Sequence, residues 1–368
     1  MVNIRTAKKN EINQIINLTN EVFREPNKMS LSMGKQFPLL FNKENAHNLF
    51  IAEDNGKIIS HNGLKLTKIF INGHALSYAS MGAVCTHSAY RGQGIATKLL
   101  SNIFEYLEKK EIGILTISGG RGLYTKNGAD FTSGKTDYII DKTSILKGSF
   151  NSSQYNVKYT GNKVPANIDK MAQLYQKESV RYQRSYFEFP QLLTAMPSVH
   201  NVPFPPPYFC VSIVTADDNL LAYLIGYYQK KNKITITEYA GERLAIIPGL
   251  KYLFSQKNVS QIKISVPSHD KNLITYLNES IPESNESYYE PTYIITNVKS
   301  LIKEVTPIIK ERSPQKNLNI EKDSPIDISN KKELLHFLFD NFLRKDYGDR
   351  WKEILPLPLP WPQGLNYI

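Results

Sequence analysis

The chain has 368 residues, 41% of them hydrophobic and 21% charged, which is the composition of an ordinary soluble globular protein with room for two or three domains. Its formal net charge of +11 would suit an anionic partner, but the lysines are scattered and form no run of five or more like charges, so no nucleic-acid partner is expected. The longest apolar run, 220–228, is too short to cross a bilayer, so no membrane partner is expected either.

The cysteines and histidines give no sign of a metal or a disulfide. Cys85 and Cys210, the only two cysteines, are interpreted as buried strand residues in a reducing compartment. The seven histidines form neither an H-x-x-x-H pattern nor a cluster with cysteine, so no metal site is predicted. The N-terminus also lacks the basic start and apolar stretch of a signal peptide. A cytoplasmic location is therefore expected.

The first ~145 residues predict one α/β unit. Residues 1–7 alternate as a strand does, and a helix with apolar positions at helical spacing begins near Lys9. Two strands, 48–52 and 57–66, flank a turn signal and form a hairpin. The next elements are two strands, a helix and two further strands, at 68–71, 75–86, 95–110, 112–117 and 137–141. The last of these strands would close the sheet of this unit.

The most informative segment is 81–100, where a strand leads through a glycine-broken basic turn into an amphipathic helix. The helix is marked by four apolar residues at helical spacing, Ile95, Leu99, Ile103 and Leu107. The N-terminal end of a helix carries unpaired N–H donors and a partial positive charge, and glycine lets an anion approach the main chain closely. The turn at 91–94 therefore predicts a pyrophosphate site.

Neither common phosphate-binding motif accounts for this turn, because Thr97 stands at the third glycine position of G-x-G-x-x-G and no G-K-[ST] ending is present. Arg91, Gly94 and Ala96 instead match the R-x-x-G-x-A turn of the GNAT acyltransferases, which this segment resembles. The resemblance implies acetyl-CoA as the co-substrate, with its pantetheine arm paired to the strand and its pyrophosphate on the turn. The implied binding residues are Val84, Cys85, Thr86, Arg91, Gly92, Gln93, Gly94, Ile95 and Ala96. The alternative is a basic helix cap on an ordinary α/β domain.

A second segment, 122–131, resembles the Leu-Tyr-x-x-x-Gly-(Phe/Tyr) stretch that follows the fifth strand in the same superfamily. One residue is extra here, since Ala129 and Asp130 precede Phe131, so the aromatic residue is displaced. Tyr124 lies before the insertion and keeps its place in the motif. We therefore expect the insertion to change the local shape of the loop and to leave Tyr124 in its motif position.

Residues ~149–298 repeat the order of the first part in weakened form. The predicted elements are three strands, a helix and a strand, at 209–214, 221–228, 233–240, 245–254 and 262–266. The turn before the helix carries Glu242 and lacks a second glycine, so it is poorly built for a pyrophosphate. We therefore expect a degenerate GNAT-like domain without its own CoA.

The last region, 299–368, is smaller and ends in an unusual tail. Residues 355–368 contain four prolines, which enforce an extended path and lower the entropy cost of ordering it. The tail ends in apolar residues that a floppy terminus rarely carries, namely Trp361, Leu365, Tyr367 and Ile368. We expect the tail to be docked on the protein.

The motifs predict a mixed α/β protein with the GNAT fold, made of a catalytic domain at 1–148, a degenerate GNAT-like domain at 149–298 and a small C-terminal region at 299–368. This architecture resembles the Eis-like (enhanced intracellular survival) N-acetyltransferases, although the third region is shorter than is typical of them. The resemblance implies that Tyr124 acts as the general acid for the departing thiolate. It also implies that the carboxylate at Ile368 helps to deprotonate the amine.

The implied function is acetyl-CoA-dependent transfer of an acetyl group to a primary amine, by direct attack in a ternary complex. The acceptor stays open between a small polyamine, an aminoglycoside-like molecule and a protein amine, and a homo-oligomer is also left open. Four carboxylates would favour a polycation if they shared one cleft, namely Glu21, Glu25, Glu178 and Glu188. The alternative function is a non-catalytic acyl-CoA-binding or interaction module, and a nucleic-acid binder is a weaker third.

The candidate residues also have purely structural interpretations. Tyr124 could be an ordinary packed tyrosine, and Ile368 could be docked without any role in the chemistry. His87 directly follows the strand and could act as a base, but a solvated turn histidine is the commoner case. Cys85 is expected to be inert, because strand cysteines are usually buried.

Overall fold

The computed structural model describes residues 2–146, 154–199, 202–229, 232–256, 259–281, 283–316, 318–342 and 347–368. Within these residues the chain forms fourteen strands, β1 (Asn3–Thr6), β2 (Leu49–Asp54), β3 (Lys57–Ile71), β4 (His74–Thr86), β5 (Ile114–Ile117), β6 (Gly134–Asp141), β7 (Asn156–Thr160), β8 (Val180–Tyr182), β9 (Tyr208–Val214), β10 (Leu220–Tyr228), β11 (Lys233–Gly241), β12 (Gln261–Pro267), β13 (Ser284–Tyr288) and β14 (Thr292–Ile295). The same residues form thirteen α-helices, α1 (Ile12–Phe23), α2 (Met33–Gln36), α3 (Ile95–Lys109), α4 (Gly122–Thr125), α5 (Lys142–Leu146), α6 (Ile168–Gln176), α7 (Glu188–Ala195), α8 (Arg243–Leu253), α9 (Lys271–Asn278), α10 (Val298–Arg312), α11 (Ile320–Asp323), α12 (Lys331–Phe339) and α13 (Asp349–Lys352).

The chain divides into two compact units. The first comprises Met1–Ser133, Tyr289–Leu359 and Ile368, and the second comprises Gly134–Tyr288 and Pro360–Tyr367. Each unit is therefore built from segments that are distant in sequence. The predicted domain ranges 1–148, 149–298 and 299–368 stay a prediction, and the boundary between residues 148 and 149 lies outside the described residues.

The first unit contains a sheet with the strand order β1-β2-β3-β4-β5-β14. These neighbours pair antiparallel except for β4 and β5, which are parallel. A parallel pair needs a crossover connection, and α3 supplies it. The predicted apolar face of α3 is buried in the core, through Ile95, Leu99, Ile103 and Leu107. Each such side chain contributes about 1.5–3 kcal/mol to folding when it leaves water.

One strand belongs to a different sheet from the one predicted. The prediction that 137–141 closes the first sheet is wrong, because β6 pairs with β12 and β13 in the second unit. The place beside β5 is taken by β14 instead. The alternation of buried Tyr138 and Ile140 with exposed Ile139 identifies β6 as a strand, but such a pattern does not specify the partner strand.

The second unit repeats the arrangement of the first. Its sheet has the order β13-β6-β12-β11-β10-β9-β7, in which the strands from β7 to β6 occupy the same positions as those from β1 to β14. Here too one neighbouring pair, β11 and β12, is parallel, and α8 connects the two strands. This confirms the predicted mixed α/β fold with two GNAT-like units. The buried faces of α8 and α9 form the core of this unit together with the sheet.

The proline-rich tail is docked, as predicted. In the first unit Leu355, Leu357 and Leu359 are buried, and the Leu357 N–H donates a 2.7 Å hydrogen bond to the Leu338 carbonyl. In the second unit the Leu365 side chain is completely buried. Apolar burial at alternate tail positions explains why so proline-rich a segment holds one path along the protein.

Candidate active site

The central feature of the first unit is the point where β4 and β5 part. Their parallel pairing runs from Tyr78 with Ile114 to Met81 with Ile117 and ends there, whereas β4 continues to Thr86. On its other side β4 stays paired with β3 as far as Thr86. The edge of β4 beyond Met81 is therefore free of β5, and its main-chain groups can pair with an extended ligand in the manner of an added strand.

A β-bulge lies at the same place in β4. Two residues of β4 stand between Gly82 and Cys85, whereas one residue of β3 stands between their partners Gly63 and His61. Ala83, in the bulge, has a left-handed backbone with φ 53°. β-Bulges often re-aim a strand beside an active site, and this one lies where the strands part.

His61 supports the bulge from β3. It is fully buried, and burial lowers its pKa to about 4, so the imidazole is neutral at physiological pH. Its Nδ1 lies 3.1 Å from the Ala83 carbonyl, to which the neutral ring donates a hydrogen bond. Sequence reasoning missed His61, because a lone histidine in a strand carries no signal of a contact made across the sheet.

The glycine turn follows the end of β4. Gly92 and Gly94 have φ angles of 78° and 73°, a conformation that other residues adopt only with strain. Gly94 is the N-cap of α3 and no side chain caps the helix there, so the N–H groups of its first turn have no described acceptor. Residues 91–94 are exposed. The turn therefore presents accessible donors at the positive end of a helix, the arrangement that suits a pyrophosphate.

Arg91 ties the turn to the strand. Its Nε donates a 3.1 Å hydrogen bond to the Thr86 carbonyl at the end of β4. Its two terminal nitrogens have no hydrogen-bond partner among the described residues. The guanidinium is thus held beside the turn with two donor groups still available to an anion.

Ile368 lies at the point where β4 and β5 part. Its main-chain oxygen stands 2.5 Å from where a Cβ on Gly82 would be, and the Ser118 hydroxyl oxygen is 3.4 Å from the same position. Only a glycine at position 82 leaves room for this close approach. Sequence reasoning missed Gly82, although a glycine inside a strand is a known signal that another main chain approaches closely.

Tyr124 lies on the short helix α4, which follows β5. Its side chain is 3% exposed and belongs to the same core cluster as Met81, Ile117 and Ile95. Burial raises the pKa of the Tyr124 hydroxyl, with Arg121 acting in the opposite direction, so the hydroxyl stays protonated at neutral pH. None of the hydrogen bonds among the described residues involves this hydroxyl, which leaves it available as a donor.

The extra residue in the 122–131 segment is accommodated by pairing with β14. The Asp130 N–H donates to the Tyr293 carbonyl at 2.9 Å, and the Tyr293 N–H donates to the Asp130 carbonyl at 2.8 Å. The displaced Phe131 ring then packs against Gly120, with its Cζ 2.9 Å from where a Gly120 Cβ would stand. The insertion therefore leaves α4 and Tyr124 in place.

The other candidates are engaged elsewhere. Cys85 is buried, and burial raises the pKa of its thiol to about 12, so the thiol is not a nucleophile at neutral pH. His87 lies 3.0 Å from the Glu21 carboxylate. Of the other proposed acceptor carboxylates, Glu178 is paired with Arg243 and Glu188 accepts a hydrogen bond from the Ser185 N–H, both within the second unit. The structure does not bring these carboxylates into one cleft within either unit.

No group of three or more histidine, cysteine, aspartate and glutamate side chains in the described part of the chain could hold a metal ion. No helix among the described residues has the length and apolar character needed to cross a membrane.

Comparison with known proteins agrees with this geometry. A family model described as acetyltransferase (GNAT) domain matches residues 3–131. No curated protein sequence gives a significant match. A solved structure of a probable N-acyltransferase from Enterococcus faecalis V583 has a TM-score of 0.66 at 13% identity, covering 83% of this chain and 75% of that one.

Two further solved structures are similar in fold. A GCN5-related N-acetyltransferase from Anabaena variabilis ATCC 29413 has a TM-score of 0.61 at 14% identity, covering 83% of this chain and 75% of that one. Eis1 from Mycobacterium abscessus has a TM-score of 0.58 at 12% identity, covering 83% of this chain and 76% of that one. The matched range 3–131 contains the parting of β4 and β5, the glycine turn and Tyr124. Residues 3–131 therefore match a GNAT acetyltransferase domain, and the fold of the chain resembles those of a probable N-acyltransferase and of Eis1.

Proposed function

We propose that this protein is an acetyl-CoA-dependent N-acetyltransferase that transfers the acetyl group to a primary amine by direct attack in a ternary complex. The observation that carries the proposal is the position of Ile368 against Gly82, where β4 parts from β5. The main-chain oxygen of Ile368 thus lies beside the strand edge on which an acyl-CoA would lie. Acetyl-CoA would supply the activated thioester.

The chain's own groups would hold the co-substrate along β4 and the turn. The main chain of Val84, Cys85 and Thr86 pairs with the pantetheine arm, and the segment 91–96 holds the pyrophosphate through N–H groups and the Arg91 guanidinium. A main-chain N–H on the freed edge of β4 can donate to the oxyanion that develops on the acyl carbonyl. Such a donor is typically worth about 3 kcal/mol of barrier.

Two groups would move the protons. The new C–N bond forms as the amine attacks the acetyl carbon, and a carboxylate at Ile368 accepts the proton that the amine loses. The C–S bond then breaks, and the Tyr124 hydroxyl, which is protonated at neutral pH, donates its proton to the departing thiolate. No covalent enzyme intermediate is needed.

The acceptor is proposed only as a class. A small polyamine, an aminoglycoside-like molecule and a protein amine all present a primary amine, and nothing at Gly82 distinguishes them. The cytoplasm stays the proposed compartment because both cysteines are free thiols. We propose neither a nucleic-acid nor a membrane partner, and a homo-oligomer is left open.

The test is thiol release from acetyl-CoA against a panel of primary amines, with the intact chain and a variant that lacks residues 363–368. We expect release that depends on both the amine and the tail. A third protein, with one glycine added after Ile368, keeps the tail and moves the carboxylate. Equal turnover by all three proteins would refute the role of Ile368. Binding of acetyl-CoA with no release on any amine would instead support a non-catalytic acyl-CoA-binding module.

A further inference from the structure

The second unit has its own parting of strands. The parallel pairing of β11 with β12 runs from Lys233 with Gln261 to Ile236 with Ile264 and ends there, whereas β11 continues to Gly241. A register shift against β10 falls at the same place, so Thr237 forms a bulge. The β11–β12 cleft is the equivalent, within its own unit, of the opening between β4 and β5.

This cleft is not built for a CoA pyrophosphate, because a carboxylate already occupies the start of α8. The Gly241 N–H donates a 2.7 Å hydrogen bond to Glu178 Oε1. Arg243, the first residue of α8, donates to both oxygens of the same carboxylate at 2.9 and 2.6 Å, and its Nε donates to Asp270 at 2.7 Å. The Gly241 N–H and the Arg243 guanidinium, which could otherwise bind a phosphate group, are thus engaged by the protein's own carboxylates.

The β11–β12 cleft is lined instead by the chain's own tail, through Pro360, Trp361, Leu365 and Asn366. The Trp361 indole N–H donates a 3.1 Å hydrogen bond to the carbonyl of the bulged residue Thr237. A Cβ on Gly364 would stand 3.3 Å from a Glu238 carboxylate oxygen, so the tail passes close to the strand. Leu365 is completely buried. The tail therefore lies within the opening and forms part of its wall.

A buried ion pair holds the end of this segment. The Arg184 side chain is 1% exposed and donates to both oxygens of Glu238, at 2.8 and 2.7 Å. Its Nε also donates a 3.0 Å hydrogen bond to the Asn366 side-chain oxygen. The guanidinium lies 3.9 Å from the centre of the Tyr175 ring, which fixes its orientation. A buried ion pair stabilises the fold only if its remaining hydrogen-bonding groups have partners. Asn366 supplies one, because its side-chain oxygen accepts from Arg184 Nε.

We propose that the β11–β12 cleft is a binding site for a peptide, that its ligand is this chain's own segment Pro360–Tyr367, and that Arg184 and Glu238 are positioning residues for the tail. Asn366 stands two residues before Ile368, so anchoring it limits where the Ile368 carboxyl group can lie. The catalytic consequence rests on the proposed function, whereas the anchoring does not. The opening proposed for the co-substrate in the first unit thus has an equivalent in the second unit that holds the chain's own tail.

The test uses the full-length chain with the substitution Asn366→Ala, which removes the acceptor for Arg184 without unpairing the ion pair. Hydrogen–deuterium exchange of residues 365–368 should become at least about tenfold faster, and exchange of β11 and β12 should not change. The value of kcat should fall while the KM for acetyl-CoA is retained. Asn366→Asp keeps an acceptor oxygen and should restore slow exchange and turnover. A matched change at an exposed site, Asn285→Ala on β13, should leave both readouts as in the unchanged protein.

The two readouts separate this inference from the proposed function. Faster tail exchange with unchanged kcat would support the anchoring and overturn the catalytic role of Ile368. Unchanged tail exchange in Asn366→Ala would overturn the anchoring, whatever the turnover. Equal changes of tail exchange in Asn366→Ala and in Asn285→Ala would also overturn the anchoring.

Discussion

At the scale of single residues, the site in the first unit depends on small side chains as much as on reactive ones. Gly82 makes room for Ile368, and Gly94 gives α3 its uncapped start. His61 holds the strained main chain of Ala83 through one hydrogen bond. The Tyr124 hydroxyl is protonated at neutral pH, and burial raises its pKa further. The residues that shape the main chain are therefore expected to affect catalysis without touching the acyl group.

Gly82→Ala tests the close approach of the tail. The new methyl group would lie 2.5 Å from the Ile368 oxygen, so the end of the tail must move. Since small misplacements of a catalytic group are costly, we expect kcat to fall on the order of 100-fold, with little change in the KM for acetyl-CoA. Steady-state kinetics measures both. Gly161→Ala, where the nearest atom is 3.8 Å away, is the control and should behave as the unchanged protein. Full activity of Gly82→Ala would show that Ile368 need not lie there.

Tyr124→Phe tests the general acid. The change removes one hydroxyl from a packed side chain, so folding should be preserved. We expect kcat to fall by a factor of roughly 10² to 10⁴, the usual range for general acid–base catalysis, while acetyl-CoA binding is retained. Because the pKa of Tyr124 is raised, turnover should not decline through its ionisation until the pH exceeds about 10. Tyr106→Phe, which removes a hydroxyl hydrogen-bonded to Asn48 in the same unit, is the matched control. Undiminished kcat would remove Tyr124 from the mechanism.

At the scale of elements, the site proposed for the first unit lies where two strands part and where a helix starts without a side-chain cap. Both features recur in the second unit at β11, β12 and α8, yet there the helix start is neutralised by Glu178. The same local architecture therefore occurs with a helix start that is open to an anion in the first unit and with one engaged by a carboxylate in the second. The difference lies in the sequence of the turn. The turn before α3 is glycine-rich at 91–94, whereas the turn before α8 carries Glu242.

Gly94→Ala tests the helix start. Alanine at φ 73° is strained by about 1–3 kcal/mol, and its Cβ would stand on the exposed turn that we propose binds the pyrophosphate. We expect the KM for acetyl-CoA to rise at least about tenfold with a smaller change in kcat. Gly56→Ala is the matched control, because Gly56 has φ 81° and no atom within 4 Å of its Cβ position, as at Gly94. Both variants should lose similar stability. An equal rise in KM in both would mean that strain, not the turn, is responsible.

At the scale of the whole molecule, distant segments complete each unit. In the first unit β14 pairs with β5, and α12 contacts the 122–131 segment through His336, 206 positions from Asp130. His336 Nδ1 lies 2.7 Å from Asp340, its Nε2 lies 3.0 Å from Asp130, and Lys332 also contacts Asp130 at 2.8 Å. This cluster joins the segment that carries Tyr124 to the C-terminal part of the unit.

His336→Gln tests the cluster through pH. The hydrogen bond with Asp340 raises the pKa of His336 above its ordinary value, with Asp130 adding to it and burial opposing. The charged form of His336 therefore stabilises the folded state. This contribution is fully present below the unfolded-state pKa of about 6.5, and it is lost as the pH rises through the folded-state pKa. Calorimetry should show a lower Tm for His336→Gln than for the unchanged protein near pH 6. The difference between the two Tm values should become smaller at alkaline pH. A difference that is independent of pH would contradict the charged histidine.

The sequence by itself determined the features that a few neighbouring residues encode. Segment 91–96 and the apolar face of α3 appear in the structure where the sequence predicted them, and so do the repeat in the second half and the docked tail. Each of these depends on local backbone preferences or on the period of apolar residues, both of which are legible along the chain.

Only the tertiary structure decided which distant residues meet. The alternation in β6 predicted a strand but not its partner, and no local pattern marks Gly82 as the residue against which Ile368 lies. No local pattern predicts the hydrogen bond of His61 with the Ala83 carbonyl. Nor does one predict the hydrogen bonds of Arg184 with Glu238 and Asn366. The physical reason is that pairing and close approach are properties of two segments at once, and each segment on its own is compatible with many partners.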